Sequence, residues 1–339
     1  MSLGVLAPNV YFCGGKDIKV TNLIDVAARL PWWCKAVPKL LLPEKFWHRR
    51  TGGTNSARYC YSVWLRHLVI AHMSGLRTDP TNVAELGPGD SLGIGLAALL
   101  SGASNYYAFD IVKFANIGRN LEVFDELVEL FNKRERIPDA TEFPEAQPLL
   151  ESYEFPAYIL TDARLRDALD PRRVESIRAI LTSMEPNSEG PIGISYFAPW
   201  DSNAILMQDS VDLVFSQAVL EHVDDLEHTY RTLHRWMKPG GVMSHQIDFR
   251  CHDAVKQWNG HWTFSDWTWR LMRGRRPYYL NREPHSKHLA LLIRNGFKVV
   301  CDMRAETKSA IKRKQLARRF KNLTDQDLST YSALIQAIK

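Results

Sequence analysis

The stretch Val83-Ala-Glu-Leu-Gly-Pro-Gly-Asp-Ser-Leu-Gly-Ile-Gly95 constrains the fold more than any other part of the chain. A strand-like start runs into a glycine-rich turn and then into an apolar, helix-like run. That is the opening unit of an open α/β sheet, and its turn lets a ligand approach the backbone. Strand-like segments recur at 105–110, 190–197, 210–217, 241–248, 298–306 and 329–339. Helical periodicity marks 57–73, 120–136, 171–184, 220–237 and 286–297 between them, so a doubly wound α/β sheet is expected. Ligands of such sheets sit outside the carboxyl ends of the strands. Glu85, Asp110, Gln217 and Asp248 fall at or near those ends.

The glycine turn narrows the ligand. A phosphate loop needs successive backbone N–H donors and often a lysine. Here Pro88 removes one donor, Asp90 adds negative charge, and no Gly-Lys-Ser/Thr follows. The spacing of Gly87, Gly89 and Gly93 misses the dinucleotide pattern by one residue. Phosphate is therefore disfavoured. Acidic residues before the turn and at the next strand end suit a ligand with a cationic end and a ribose diol, and Asp110 stands where a carboxylate takes both ribose hydroxyls. S-adenosylmethionine has these features and no phosphate. Gly87 is expected to leave space for the cofactor against the backbone.

The segments around ELGPGDSLG, YYAFD, SVDLVFSQAVLEHVDDL and LHRWMKPGGVMSHQIDF resemble successive motifs of class I S-adenosylmethionine-dependent methyltransferases, in the group similar to ubiquinone-biosynthesis and small-molecule enzymes (type 11). The resemblance covers residues 80–250 and the terminal strand pair. It implies a mostly parallel Rossmann-like sheet closed by a C-terminal antiparallel pair of strands. It implies S-adenosyl-L-methionine as cofactor, held by Glu85, Gly87, Pro88, Gly89, Asp110, Ile111 and Gln217. The chain departs from the pattern at Ser91, where a third turn glycine is usual, and at Ile194, where an acidic residue usually meets adenine. Ser195, Tyr196 or backbone then make the adenine contact. Arg58, after a Gly-Gly turn, is a candidate for the cofactor's carboxylate, or part of a packing turn.

Methyl transfer needs a positioned nucleophile and, for a hydroxyl, a base. His222, His245, Asp248 and His252 are the candidates. Strand alternation puts His245 and Asp248 on opposite faces, which favours His245 as a core residue. Glu221, His222, Asp248 and His252 form an alternative metal set. The E-x-x-E-H metal motif of some related enzymes is broken here by Ala218, so activity is expected to survive chelation. The segment Trp258–Tyr279 holds Trp258, Trp262, Phe264, Trp267 and Trp269, with Arg273, Arg275 and Arg276. It is read either as an acceptor-binding lid, with Trp258, Trp262, Trp269 and Arg282 against the substrate, or as a lid packed by its own tryptophans.

The expected layout is an N-terminal helical cap over 1–80 and a methyltransferase domain over 81–339, with a helical insertion at 119–190 and the lid at 251–285. The 339 residues, 45% of them hydrophobic, suffice for one large domain with additions. The net charge of +5 is mild, and clusters at His48–Arg50, Arg273–Arg276 and Lys312–Lys314 hold much of the excess. Nucleic acid is disfavoured, because the chain has neither a [DN]-P-P-[FY] motif nor a Pro-Cys nucleophile. Residues 31–50 read as an amphipathic membrane-facing segment or as a cap over a pocket. The five cysteines lack C-x-x-C spacing, and no signal peptide is read, so a reduced cytoplasmic setting is expected. The leading reading is O-methylation of a hydroxyl on a small-molecule or glycan-like acceptor. The alternatives are C- or N-methylation of a lipid or secondary metabolite, and a non-catalytic cofactor-binding subunit.

Overall fold

The computed structural model describes residues 53–183, 191–200, 206–252, 254–276 and 278–339. Most of the expected cap, including the membrane-facing reading of 31–50, lies outside them. Helix α1 (Ala57–Met73) starts at Ser56, whose side chain accepts the Tyr59 N–H, and it is apolar on nearly every side. It is accordingly buried between a sheet face and the loop described below.

Seven strands form one sheet. They are β1 (Asn82–Leu86), β2 (Asn105–Phe109), β3 (Gly193–Phe197), β4 (Val211–Gln217), β5 (Met237–Asp248), β6 (Lys298–Glu306) and β7 (Thr330–Ile338). Their order is β3-β2-β1-β4-β5-β7-β6. Strand β7 runs antiparallel to both β5 and β6, and the other pairs are parallel. Side-chain alternation divides the core in two. Val83, Tyr106, Leu213 and Phe215 face α1, α2 (Gly93–Leu99), α3 (Ile117–Lys133) and α5 (Pro171–Ser183). Ala84, Phe109, Val214 and Met243 face α6 (Leu226–Trp236) and the later helix over His285–Arg294. Gly95 shows how close the first layer sits: a Cβ there would lie 1.9 Å from the Tyr106 ring.

Three local features differ from the sequence reading. The helix expected over 220–237 is split into a 3-10 turn, Leu220–His222, and α6, because Asp225 accepts the His228 N–H at 2.9 Å and caps a new start. The insertion has helices α3, α4 (Asp162–Ala168) and α5, but residues 135–161 hold no regular element. Pro138, Pro144, Pro148 and Pro156 forbid a continuous helix there. The buried Arg66 holds this loop instead, donating to the carbonyls of Ala146, Pro148 and Pro138 at 2.8, 2.6 and 3.0 Å. Residues 307–329, to which no element is assigned from sequence, form two 3-10 turns and helix Asp325–Ser329.

Candidate active site

The carboxyl ends of β1, β2, β4 and β5 carry the site. In the first turn Gly87 and Gly89 have φ of +65° and +75°, the left-handed region that favours glycine. Gly87 donates its N–H to Phe109 O at 2.7 Å. A Cβ on Gly87 would lie 2.5 Å from Val219 Cγ2, so this glycine makes room for a side chain of the protein's own. Buried Pro88 sits between them without a donor. Asp110, 8% exposed, receives the N–H of Ile111 at 2.7 Å and of Gly89 at 3.3 Å. Burial raises its pKa, and the backbone donors of Ile111, Gly89 and Val112 only partly oppose that. The hydrogen-bond partners of this carboxylate are backbone amides, so its remaining lone pairs suit a diol.

The other proposed cofactor contacts sort into two groups. Ile111 is exposed at the rim. Ser195 of β3 pairs with Tyr107 of β2, and the Tyr196 hydroxyl accepts the Phe114 N–H at 3.2 Å and bonds Val112 O at 3.3 Å. Tyr196 thus shapes the loop that follows Asp110. By contrast, Glu85 is 1% exposed and takes a short hydrogen bond from the Tyr106 hydroxyl in the core. Burial pushes its pKa up to about 8 against that bond. Gln217 is engaged on both sides, with His67 Nε2 at 3.2 Å and with Gln147 O at 3.1 Å. Arg58 makes a fork of two 2.7 Å bonds to Glu142, so a carboxylate of the protein occupies the guanidinium assigned to the cofactor. Glu145 of the same loop pairs with Arg250. The irregular loop therefore bridges α1 to the ends of β4 and β5. Neither this wall nor the aromatic group of Phe109, Phe197, Trp200 and Trp236 was assigned from sequence. The only advance signal was the run of prolines and the Phe-Ala-Pro-Trp end of β3.

A second group lies where β4 and β5 end. His252, in the left-handed region at φ +45°, places Nε2 3.2 Å from Asp248 Oδ2. Its ring centroid is 5.2 Å from that of His222. Burial pushes the Asp248 carboxyl upward, but hydrogen bonds from His252 and Arg250 outweigh it and hold the group below the ordinary range. Burial, then His252, lowers His222 to about 4. Glu221 is 4% exposed and its pKa is raised by burial and by Asp248. The amides of Glu221 and Asp248 approach its carboxylate without closing hydrogen bonds of standard geometry. Thus Glu221, His222, Asp248 and His252 come together. His245 does not join them. It is 2% exposed, bonds Ser216 Oγ at 2.7 Å and is lowered to about 3 by burial, as a core histidine.

The lid reading is corrected at its centre. Trp262 is fully buried, donates Nε1–H to Arg282 O at 2.9 Å, and anchors Ile311, Leu316, Phe320, Leu323 and Leu328 of the 307–329 connection. Trp269 is 5% exposed, stacks on Tyr279 at 4.8 Å and donates to Leu280 O. Arg282, at φ +69°, is 4% exposed, lies over Trp269 and Phe320, and bonds Asp266. These three side chains are internal, because residues 254–329 need a core of their own. Trp258 is half-buried and donates to Lys308 O at 3.2 Å. The clefts around Arg77, Asp212 and Lys238 and around Arg164 and Arg173 lie at the amino ends of the strands, and no site residue lines them.

The model of a family described as a methyltransferase domain matches residues 200–244, the span from the end of β3 through α6 into β5. That segment contains Gln217, Glu221 and His222, and the strand order around it is 3-2-1-4-5-7-6 with strand 7 reversed. The fold is that of the class I S-adenosylmethionine-dependent methyltransferases. Solved structures similar to this methyltransferase fold include an S-adenosylmethionine-dependent methyltransferase from Mesorhizobium loti, 15% identical, covering 80% of this chain and 98% of that one, at a TM-score of 0.40. A putative one from Listeria monocytogenes is 12% identical and covers 83% and 97%, at 0.40. One from Methanosarcina mazei is 12% identical and covers 80% and 96%, at 0.41. Among curated proteins the search finds no match. S-adenosylmethionine is the cofactor that this fold and the matched methyltransferase segment call for. The Gly87–Gly89 turn and the carboxylate of Asp110 fit it, and they would hold it. No described helix is long and apolar enough to cross a membrane.

Proposed function

We propose that the protein transfers the methyl group of S-adenosylmethionine to a hydroxyl of a small-molecule or glycan-like acceptor, with His252 as the base. The observation that carries this reading is the Asp248–His252 pair. An exposed imidazole stands at the carboxyl end of β5, oriented by a buried carboxylate, at the same end of the sheet as Asp110 and the glycine turn, which follow β2 and β1. A base held by a third group is the arrangement that hydroxyl deprotonation uses. In-line displacement at the sulfonium methyl carbon forms the new O–C bond and breaks the S–C bond. The hydroxyl proton passes to the imidazole, and S-adenosylhomocysteine leaves. Arg250 keeps Asp248 ionised, so the charge left on the imidazolium is balanced. Half-buried Trp258 remains the tryptophan of the proposed substrate set with a face to offer. The cytoplasmic setting read from the sequence belongs to the same proposal.

His252→Ala should lower turnover on a hydroxyl acceptor by about a hundredfold or more, the usual worth of a positioned base. Cofactor affinity should stay unchanged. Steady-state kinetics with a panel of hydroxylated acceptors, read by S-adenosylhomocysteine release, measure this. Unaltered turnover in the variant would remove His252 from the reaction.

A further inference from the structure

Glu221, His222 and His252 each offer one ligand atom, and the three atoms lie within 4.8 Å of one another. Three buried polar atoms of the group, both carboxylate oxygens of the buried Glu221 and Nδ1 of His222, make no hydrogen bond of standard geometry. A buried carboxylate left so costs free energy unless a cation or donor meets it. The third ligand is held in place. His252 Nε2 faces Asp248, and in a neutral ring that donates there the other nitrogen keeps a lone pair. A carboxylate behind an imidazole is the usual support of a metal-binding histidine. The ligands come from two separate loops, the 3-10 turn after β4 and the turn after β5, and they close the set that Ala218 leaves open in sequence.

The donor set decides which ion fits. Magnesium and calcium take oxygen ligands, whereas two imidazoles with one carboxylate suit divalent transition ions such as zinc. We infer that Glu221, His222 and His252 bind a divalent transition ion of the zinc class, and that this ion inhibits methyl transfer by taking the lone pair His252 uses as base. The inhibitory half rests on the proposed function; the binding half does not. Proton and metal compete for one nitrogen, so an occupied site cannot accept the hydroxyl proton through His252.

The test titrates zinc chloride by calorimetry into the full chain, freed of metal with a chelator and without cofactor or acceptor. One zinc should bind per chain, with no heat from magnesium at the same concentration. His252→Ala and Glu221→Gln should each weaken zinc at least about a hundredfold, and Asp248→Asn about tenfold, the usual cost of losing a ligand's support. Circular dichroism verifies folding, and exposed His252 can be replaced without opening the core. Equal zinc affinity in wild type and His252→Ala overturns the site. With a hydroxyl acceptor, equimolar zinc should suppress turnover and a chelator should restore it; stimulation by zinc overturns the inhibitory role. Zinc binding intact while methyl groups go only to nitrogen or carbon would support the site and refute the proposed function.

Discussion

At the residue scale, Asp110 and Glu85 illustrate how one residue type takes opposite roles. Both are carboxylates at strand ends. Glu85 shares its face of the sheet with Tyr106, under α2, and is enclosed; Asp110 stands one step beyond the end of β2 and keeps lone pairs for a ligand. Asp110→Ala removes both acceptors, each worth about 1.5–3 kcal/mol toward a hydroxyl of the diol when charge-assisted. Cofactor affinity by calorimetry should fall at least tenfold. Asp110→Asn, which keeps one acceptor oxygen for the Ile111 amide but turns an NH2 toward the Gly89 amide, should lose less affinity than the alanine variant. Equal affinity in the alanine variant would place the ribose elsewhere. The identity of Asp110 was legible because a glycine turn and the next strand end locate it by counting. The meeting of Glu221 with His252 was weighed but not legible as geometry. It depends on a 3-10 turn where a helix was expected and on a positive φ at His252, neither of which a residue type announces.

At the scale of elements, strands and major helices follow from period and punctuation, and apart from the split of the helix expected over 220–237 they stand close to where the sequence puts them. The connections do not. Trp262 and Trp269 are read from sequence as flat faces for an acceptor, yet both are anchors, because residue type tells that an aromatic is buried and not what buries it. The missing information was the 307–329 connection, whose apolar residues pack across Trp262 from nearly 50 residues later. Trp262→Ala should therefore act on stability. Truncating a fully buried tryptophan costs about 3–5 kcal/mol, so the urea midpoint should drop while cofactor affinity at low temperature is kept. A variant of native stability with a raised acceptor Michaelis constant would return Trp262 to the substrate. The Arg58–Glu142 fork was equally out of reach, since its partners are 84 residues apart and meet only through the proline-rich loop.

At the scale of the whole molecule, buried histidines set the response to acid. Burial lowers His67 and His222 to about 4, and His245, His261 and His288 to about 3. Each folded value lies below the unfolded one near 6.5, so the unfolded chain takes up protons first. Their stabilisation is complete above pH 6.5 and is lost as pH falls through 4 to 3, at about 1.4 kcal/mol per pH unit and histidine. Glu85 works the other way, since its folded value near 8 favours the native state as pH falls from 8 toward 4.5. Burial raises Glu221 and Asp110 in the same sense, but the five histidines outweigh these carboxylates, and the melting midpoint should fall between pH 7 and 5 by on the order of 10 °C. Calorimetric scans across that range measure it, and a flat profile would mean that these histidines are hydrated. One more consequence lies in the place of β7. It is made after β6 yet separates β6 from β5, and among the described residues β6 pairs with no other strand. Until residues 330–338 arrive, β5 keeps a bare edge and β6 has no neighbour in register. The right half of the sheet therefore cannot form in the order in which it is synthesised. A nascent chain halted after β6 should expose that edge to chaperones and proteases, and the closing step of folding should be the insertion of a strand between two that are already waiting.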